Sequence, residues 1–232
     1  MIDERTMDER RKDEEDLMDI QTRKWKVRCV IYDCDGVLFD SIEANTKLYN
    51  DLCVRVGRFP LREEEMNYVH TRTVYEAIHF IFGEEDSLEK RALESLKQID
   101  LREYIEYLKM EPYLLQMLNL LKAHGILRVI NTNRTTSMKH VMERFGLWPF
   151  FDMVVTALDV KNPKPHPESI EKIIHEFHLN KEETLFVGDS EVDQQTAASS
   201  GIKFIAYKNR EIISDAYLDD HLDLLNFLIS SH

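Results

Sequence analysis

The sequence predicts an α/β fold: a mainly parallel β-sheet flanked by helices, with an α-helical domain inserted after the first strand. From residue 111 onward, short apolar segments alternate with amphipathic helical segments across short loops. This alternation is typical of parallel strands joined by right-handed crossovers. Between residues 42 and 110 the apolar residues show only helical spacing. Such a segment is too long for one crossover helix, so we predict a separate small helical domain.

The chain is therefore divided into three parts. We expect an α/β core at 25–41 and 108–232, interrupted by the helical domain at 42–107. Residues 1–24 are mostly charged, with both signs mixed, and predict a loosely attached N-terminal extension.

The elements are predicted in chain order from apolar spacing and from glycine and proline breaks. The first strand covers residues 26–32. The helices of the inserted domain are predicted from 42 to the break at Gly57, at 63–70, at 73–82 and at 88–110. Strands follow at 126–130, 151–155, 184–187 and 203–206, and helices at 113–124, 137–145, 168–177, 191–200 and 222–228.

Two carboxylates stand two residues apart where the first strand ends. Asp33 and Asp35 follow an apolar run, which indicates the carboxyl end of a buried strand, where open α/β sheets bind ligands. Crowded carboxylates repel, so the arrangement indicates a cation, a proton or a reaction that needs them. An Asp-Gly pair between apolar runs is also a hairpin signal, so a plain hairpin over residues 29–40 is the alternative.

Polar residues also follow three later strands. Thr132 and Asn133 come after the strand at 126–130, Lys164 lies in the proline-rich loop after the next one, and Asp189 follows the strand at 184–187. Because the carboxyl ends of parallel strands share one edge of a sheet, we expect these residues to meet the first-strand carboxylates. This convergence favours a functional site over the hairpin.

The predicted site combines one lysine with several acids. The acids are Asp33, Asp35, Asp189 and Asp193. With no His or Cys at metal-ligand spacing, this set suits Mg²⁺, and Lys164 with Thr132 and Asn133 suits a phosphoryl group. Asp33 would attack phosphorus to give an aspartyl phosphate. Asp35 would protonate the leaving oxygen and later deprotonate the attacking water.

Each of these residues also has a simpler interpretation. Lys164 alternatively is a solvated loop lysine, and Thr132-Asn133 a helix cap. Asp193 alternatively serves a helix N-terminus electrostatically, which is compatible with a supporting role in the site.

Four stretches, in chain order, resemble the four motifs of the haloacid dehalogenase (HAD) superfamily. They are Asp33-x-Asp35-Gly36-Val37-x-x-Asp40-Ser41, Thr132-Asn133, Lys164-Pro165-x-Pro167-Glu168 and Gly188-Asp189-Ser190-x-x-Asp193. The run from Phe145-Gly146-Leu147 to Lys164-Pro165 is also similar to the phosphoglycolate phosphatase and β-phosphoglucomutase branch. The resemblance implies a Rossmann-like core with a helical cap inserted after the first motif.

The resemblance also implies a role for each matching residue. Asp33 matches the nucleophile, Asp35 the acid/base, Thr132 the phosphoryl-binding hydroxyl and Lys164 the charge-neutralising lysine. It further implies that Mg²⁺ is held by Asp33, by the backbone carbonyl of Asp35 and by Asp189, with Asp193 acting through water or orienting the site.

Phosphomonoester hydrolysis is the reaction that the resemblance favours, with a small phosphorylated metabolite as substrate. Dehalogenases of the family lack the second aspartate, and phosphonate hydrolases carry a small residue there. A phosphosugar mutase and a non-catalytic protein that binds a phosphate ligand are the alternatives. Arg72, between two predicted helices, is our candidate contact for a second anionic group of the substrate; the alternative is a surface arginine.

Composition limits the partners. The net charge of −13 argues against general nucleic-acid binding, and no apolar run reaches the roughly 18 residues of a membrane span. The N-terminus has no apolar core of a secretory signal, and the three cysteines form no CxxC pair. We therefore expect a cytoplasmic protein. The sequence carries no signal for an oligomeric state.

Overall fold

The structure, a computed structural model, describes residues 25–69 and 74–228. The predicted extension at 1–24 and the loop that carries Arg72 lie outside the described residues. The strands are β1 (Cys29–Tyr32), β2 (Phe39–Asp40), β3 (Lys109–Met110), β4 (Leu127–Asn131), β5 (Met153–Val155), β6 (Thr184–Gly188), β7 (Lys203–Tyr207) and β8 (Ala216–Leu218). The α-helices are α1 (Ile42–Val56), α2 (Glu63–Val69), α3 (Val74–Phe82), α4 (Asp86–Gln98), α5 (Leu114–Ala123), α6 (Ser137–Arg144), α7 (Glu168–Phe177) and α8 (Glu191–Ser200). Short 3₁₀ helices occur at Leu101–Tyr107, Trp148–Phe150, Lys181–Glu183 and His221–Asn226.

Six strands form one sheet in the order β5-β4-β1-β6-β7-β8, and every neighbouring pair is parallel. The central strand β1 pairs Ile31 with Val129 on β4 and with Phe186 on β6. All four residues of β1 are buried, as expected for a parallel strand covered on both faces. The predicted mainly parallel sheet is confirmed. The hairpin alternative is wrong, because β1 pairs with β4 and β6 instead of with the chain that follows Gly36.

Alternate residues of β1 pack into different apolar clusters on the two faces of the sheet. Val30 and Tyr32 belong to a cluster that includes the apolar faces of α1, α5 and α6. Cys29 and Ile31 belong to a second cluster with the apolar residues of α7 and α8. This period of two is the geometry of a strand, and it leaves the strand ends as the part of the sheet that a ligand can reach.

The inserted segment leaves and rejoins the sheet through a two-stranded antiparallel ribbon. Strand β2 pairs with β3, so that Phe39 faces Met110 and Asp40 faces Lys109. Between these strands lie α1 to α4 and the 3₁₀ helix at 101–107. The inserted helices of the predicted fold are therefore present, whereas the domain boundaries at 42 and 107 stay a prediction. No helix within the described residues has the length and apolar character needed to cross a membrane.

The helix predicted at 88–110 is wrong in its second half. Helix α4 ends at Gln98, and Ile99 is extended. The side chain of Asp100 then accepts a hydrogen bond from the backbone N–H of Arg102, which caps the 3₁₀ helix that follows. Residues 109–110 form β3, because their pairing with β2 overrides the helical spacing of the apolar residues.

Two C-terminal features also differ from the prediction. The helix predicted at 222–228 is a 3₁₀ helix at His221–Asn226, capped by Asp220. Strand β8 was not predicted, because three residues are too short for a periodic signal.

Candidate active site

The carboxyl ends of β1, β4 and β6 meet at one edge of the sheet and carry the polar residues that the sequence singled out. Asp33 follows β1 directly, and its backbone N–H donates to the carbonyl of Val187 on β6 at 2.9 Å. Thr132 follows β4 and Asp189 follows β6. Together with Lys164 they line one cavity. The structure therefore brings these predicted residues together.

Lys164 is a buried cation that bridges two carboxylates. Its Nζ donates to Asp33 Oδ1 at 2.7 Å and to Asp193 Oδ1 at 2.6 Å. The lysine side chain is only 4% exposed, so it is not the solvated loop lysine of the simpler interpretation. The amide of Asn133 donates to the carbonyl of Lys164 at 3.0 Å and fixes the loop that presents the lysine.

Three carboxylates form what we call the acid cluster: Asp33, Asp189 and Asp193 each place an oxygen within 4.8 Å of the others. Carboxylate oxygens are the ligands that Mg²⁺ prefers in proteins. Gly36 leaves room for this cluster, because a Cβ at that position would lie 1.9 Å from Asp189 Oδ2. Its φ of +77° is also the left-handed region that favours glycine. The donor set and the space around it fit a hard divalent cation.

The pKa values in the acid cluster reflect the crowding of negative charge. Burial raises the pKa of Asp33 to about 7; Lys164 opposes the rise, and Asp193 adds to it. Burial, together with the charges of Asp193 and Asp33, raises the pKa of Asp189 well above its ordinary value. A divalent cation would offset these repulsions and favour the ionised carboxylates.

Asp193 has a second task besides its contact with Lys164. The backbone N–H of Ser190 donates to Asp193 Oδ2 at 3.3 Å, and the backbone N–H of Asp193 donates to Ser190 Oγ at 3.3 Å. This capping box starts helix α8. The helix-terminus interpretation of Asp193 is thus compatible with its place in the site.

Arg134 is a site residue that the sequence analysis did not identify. Its guanidinium donates two hydrogen bonds of 2.6 Å to Asp35, from Nε to Oδ2 and from Nη2 to Oδ1. Burial alone would raise the pKa of Asp35, but the charge and hydrogen bonds of Arg134 outweigh it and lower that pKa. The available signal was position, because Arg134 directly follows Thr132-Asn133 at the end of β4.

A cavity of about 1030 Å³ extends from this site toward the inserted helices. Thr132 is buried in its lining, where its Oγ1 accepts a hydrogen bond from the backbone N–H of Arg134 at 3.1 Å. The lining also includes Leu48 and Tyr49 of α1 and Leu96 of α4. The cavity is therefore lined both by polar residues at the strand ends and by residues of the inserted helices.

Comparison with known proteins identifies the family. A sequence profile of the haloacid dehalogenase-like hydrolases matches residues 30–207. A pyrophosphatase PpaX from Bacillus mycoides is 25% identical over 88% of this chain and 97% of its own length. A phosphoglycolate phosphatase from Salmonella typhi is 31% identical over 52% of each chain. The structure of a HAD-superfamily hydrolase of subfamily IA from Geobacter sulfurreducens is 36% identical, with a TM-score of 0.73 over 88% of this chain and 98% of that one.

The family match covers the sheet except β8 and the first residue of β1, together with the inserted helices and the residues of the cavity. It confirms the resemblance seen in the four sequence motifs and identifies the protein as an enzyme. The chain belongs to the haloacid dehalogenase-like hydrolase family.

Proposed function

We propose that the protein is a Mg²⁺-dependent phosphatase that hydrolyses a small phosphorylated metabolite through an aspartyl phosphate on Asp33. The observation that carries this proposal is the bridge from Lys164 to Asp33 beside the acid cluster. Lys164 holds Oδ1 of Asp33, which leaves Oδ2 for attack on phosphorus. The phosphatase names of two relatives support the same reaction class.

The acid cluster, with the backbone carbonyl of Asp35, would hold Mg²⁺, which when bound would neutralise charge on the phosphoryl oxygens. The hydroxyl of Thr132 would bind one phosphoryl oxygen, and Lys164 would offset the charge that develops at Asp33. Asn133 supports the lysine through its bond to the Lys164 carbonyl. These residues together hold the phosphoryl group in line with the nucleophile.

Asp35 would act as general acid for the leaving oxygen and then as general base for the water that hydrolyses the aspartyl phosphate. In the structure both of its oxygens are bound by Arg134. Protonation of the leaving group therefore requires Asp35 to exchange one contact with Arg134 for the leaving oxygen.

We propose small phosphorylated substrates with a second anionic group first, because the named activities of the relatives concern pyrophosphate and phosphoglycolate. Arg72 is the proposed contact for the second anionic group, although it lies outside the described residues. An Arg72→Ala variant should raise KM for the true substrate and leave KM for an aryl phosphate unchanged. An unchanged KM on the true substrate would remove this role.

We also propose a cytoplasmic location and no nucleic-acid or membrane partner. All three cysteines are free and buried, as a reducing compartment would keep them. The net charge of −13 opposes nucleic-acid binding.

The test is hydrolysis of p-nitrophenyl phosphate with and without Mg²⁺, followed by pyrophosphate, phosphoglycolate and a panel of sugar phosphates. Asp33→Asn should abolish turnover, whereas Asp219→Asn, a matched change at an exposed aspartate, should not. Mass spectrometry after acid quenching should detect a phosphoryl group on Asp33. Isomerised sugar phosphate instead of inorganic phosphate would support a mutase, and no turnover of any substrate would support a non-catalytic binder.

A further inference from the structure

The residues after the nucleophile form a tight turn that accepts hydrogen bonds from two later parts of the chain. We call residues 33–38 the catalytic turn. Within it, the carbonyl of Cys34 accepts a hydrogen bond from the backbone N–H of Leu38 at 3.0 Å. Later in the turn, two successive carbonyls accept hydrogen bonds from residues outside it. Val37 O accepts from His221 Nε2 at 2.9 Å, and Leu38 O accepts from the backbone N–H of Glu111 at 3.0 Å.

His221 lies in the core and makes a hydrogen bond to the backbone of Val37. The residue is fully buried, and its ring stacks on Tyr207 with 4.7 Å between ring centroids and meets Tyr32 edge-on at 5.9 Å. Because a carbonyl oxygen only accepts, Nε2 must carry the hydrogen. Nδ1 has no hydrogen-bond partner among the residues that the structure describes. Burial lowers the pKa of His221 to about 4, so the ring is neutral and its single polar contact goes to the catalytic turn.

The same buried cluster also supports the second carbonyl. The hydroxyl of Tyr207 donates to Glu111 Oε2 at 2.9 Å, and Lys208 Nζ donates to the same oxygen. Tyr207 therefore touches both His221, which holds Val37, and Glu111, which holds Leu38. The two contacts form one support for the back of the catalytic turn.

This support matters because the catalytic turn also packs closely against Asp189 and has little room to move. Gly36 lies against Asp189, where even one added carbon would meet a carboxylate oxygen at 1.9 Å. Val37 is only two residues from Asp35, so a shift of its carbonyl carries the acid with it. A displacement of about 1 Å at reacting groups costs on the order of 100-fold in rate.

We infer that His221 is a positioning residue: through the carbonyl of Val37 it fixes the catalytic turn and thereby places Asp35 against the leaving group, although it touches no reacting atom. This inference rests on the proposed phosphatase reaction. It assigns a function to the C-terminal segment, which lies outside all four sequence motifs.

The test compares leaving groups, because a misplaced general acid harms poor leaving groups most. Three variants are made: His221→Phe keeps a stacked ring without a donor, His221→Gln restores an N–H donor, and Thr184→Val is the matched control. Thr184 is also a buried side chain that donates to a backbone carbonyl, that of Asn180 at 2.9 Å, but it lies at the amino end of β6. Each variant is assayed on p-nitrophenyl phosphate and on phenyl phosphate, the poorer leaving group, and its thermal unfolding is recorded.

We expect His221→Phe to lose about tenfold to 100-fold in kcat/KM on phenyl phosphate and several-fold less on p-nitrophenyl phosphate. The comparison uses kcat/KM because this constant reports phosphoryl transfer and not the later hydrolysis of the aspartyl phosphate, which both esters share. His221→Gln should recover most of the loss. Thr184→Val should lower stability without changing the ratio of the two rates. If His221→Phe does not fold, His221→Asn, whose amide is too short to reach Val37, takes its place.

Two outcomes separate the failures. If the wild-type protein turns over both esters and His221→Phe leaves kcat/KM unchanged or lowers it equally for both, the positioning role is overturned while the phosphatase reaction stands. If the wild-type protein turns over neither ester nor any substrate of the panel, the proposed function fails and the positioning role with it.

Discussion

Replacing Lys164 with methionine tests the charge balance of the site directly. Methionine fills a similar volume without charge, so the substitution removes the cation between Asp33 and Asp193 and leaves both carboxylates buried. Removing one partner of a buried ion pair costs about 3–5 kcal/mol. For a chain of this size, about 1 kcal/mol corresponds to a Tm change of roughly 2–4 °C, so we expect the metal-free variant to unfold about 6–20 °C lower.

The loss should depend on pH in a definite direction. The pKa of Asp33 is already raised to about 7, and without Lys164 it rises further. A carboxyl whose pKa is raised on folding stabilises the protein below its unfolded value of 3.8, and that stability is lost as pH rises through the folded pKa. The contribution of Asp33 to wild-type stability therefore falls up to about pH 7 and then levels, whereas in the variant this contribution continues to fall above that pH. The difference between them should grow above pH 7, by up to about 1.4 kcal/mol per pH unit.

Urea unfolding in EDTA at about pH 6 and about pH 8.5 measures this difference. The matched control is Lys109→Met, which removes an exposed lysine paired with Glu43. An exposed pair contributes about 0–1 kcal/mol, with no expected change across this pH range. Equal stability of the two variants at about pH 8.5, or a Lys164→Met deficit that does not change with pH, would refute the reasoning.

Four further predictions follow from other contacts of the site and its surroundings. Gly36→Ala should weaken Mg²⁺ binding and turnover more than about tenfold, measured by calorimetry and aryl phosphate hydrolysis, because its Cβ would overlap Asp189 Oδ2. Arg134→Met should move the alkaline limb of the kcat/KM profile to higher pH, because Arg134 then no longer offsets the effect of burial, which raises the pKa of Asp35; an unmoved limb would contradict the acid role. Mg²⁺ should raise Tm more at about pH 8 than at about pH 6, because protons on the acid cluster compete with the cation. Tyr113→Asn should stabilise the fold by about 0.5–1 kcal/mol in urea unfolding, because the exposed Tyr113 adopts φ +61°, which Asn tolerates better.

The edge of the sheet that carries the site was predictable because strands and helices alternate regularly along the chain. Short apolar strands alternating with helices permit essentially one handedness of crossover, and this places every strand's carboxyl end on the same side. Asp33, Thr132 and Asp189 could therefore be placed together from local patterns alone. Lys164 was placed by the same argument, because its loop follows a strand, and the motif resemblance then favoured a site lysine over a solvated loop lysine.

The contacts of Asp35 and Val37 were not predictable in the same way. Arg134 lies 99 positions from Asp35, and His221 lies 184 positions from Val37. Neither pairing leaves a periodic trace, because each is a single contact set by how separate elements pack. The break of the long predicted helix at Gln98 is similar, since the strand pairing that opposes the helical spacing involves residues about 70 positions earlier.

The β2–β3 ribbon allows the inserted helices to change without changing the sheet that carries the site. The inserted segment starts and ends on two paired strands, so its ends are held together. Its length can therefore vary with little effect on the core. Doubling such a loop costs only about 0.6 kcal/mol in closure entropy. Helices can thus be added, shortened or exchanged between Asp40 and Lys109 without altering the register of the sheet. The helices that line the cavity can therefore change while Asp33 stays where it is.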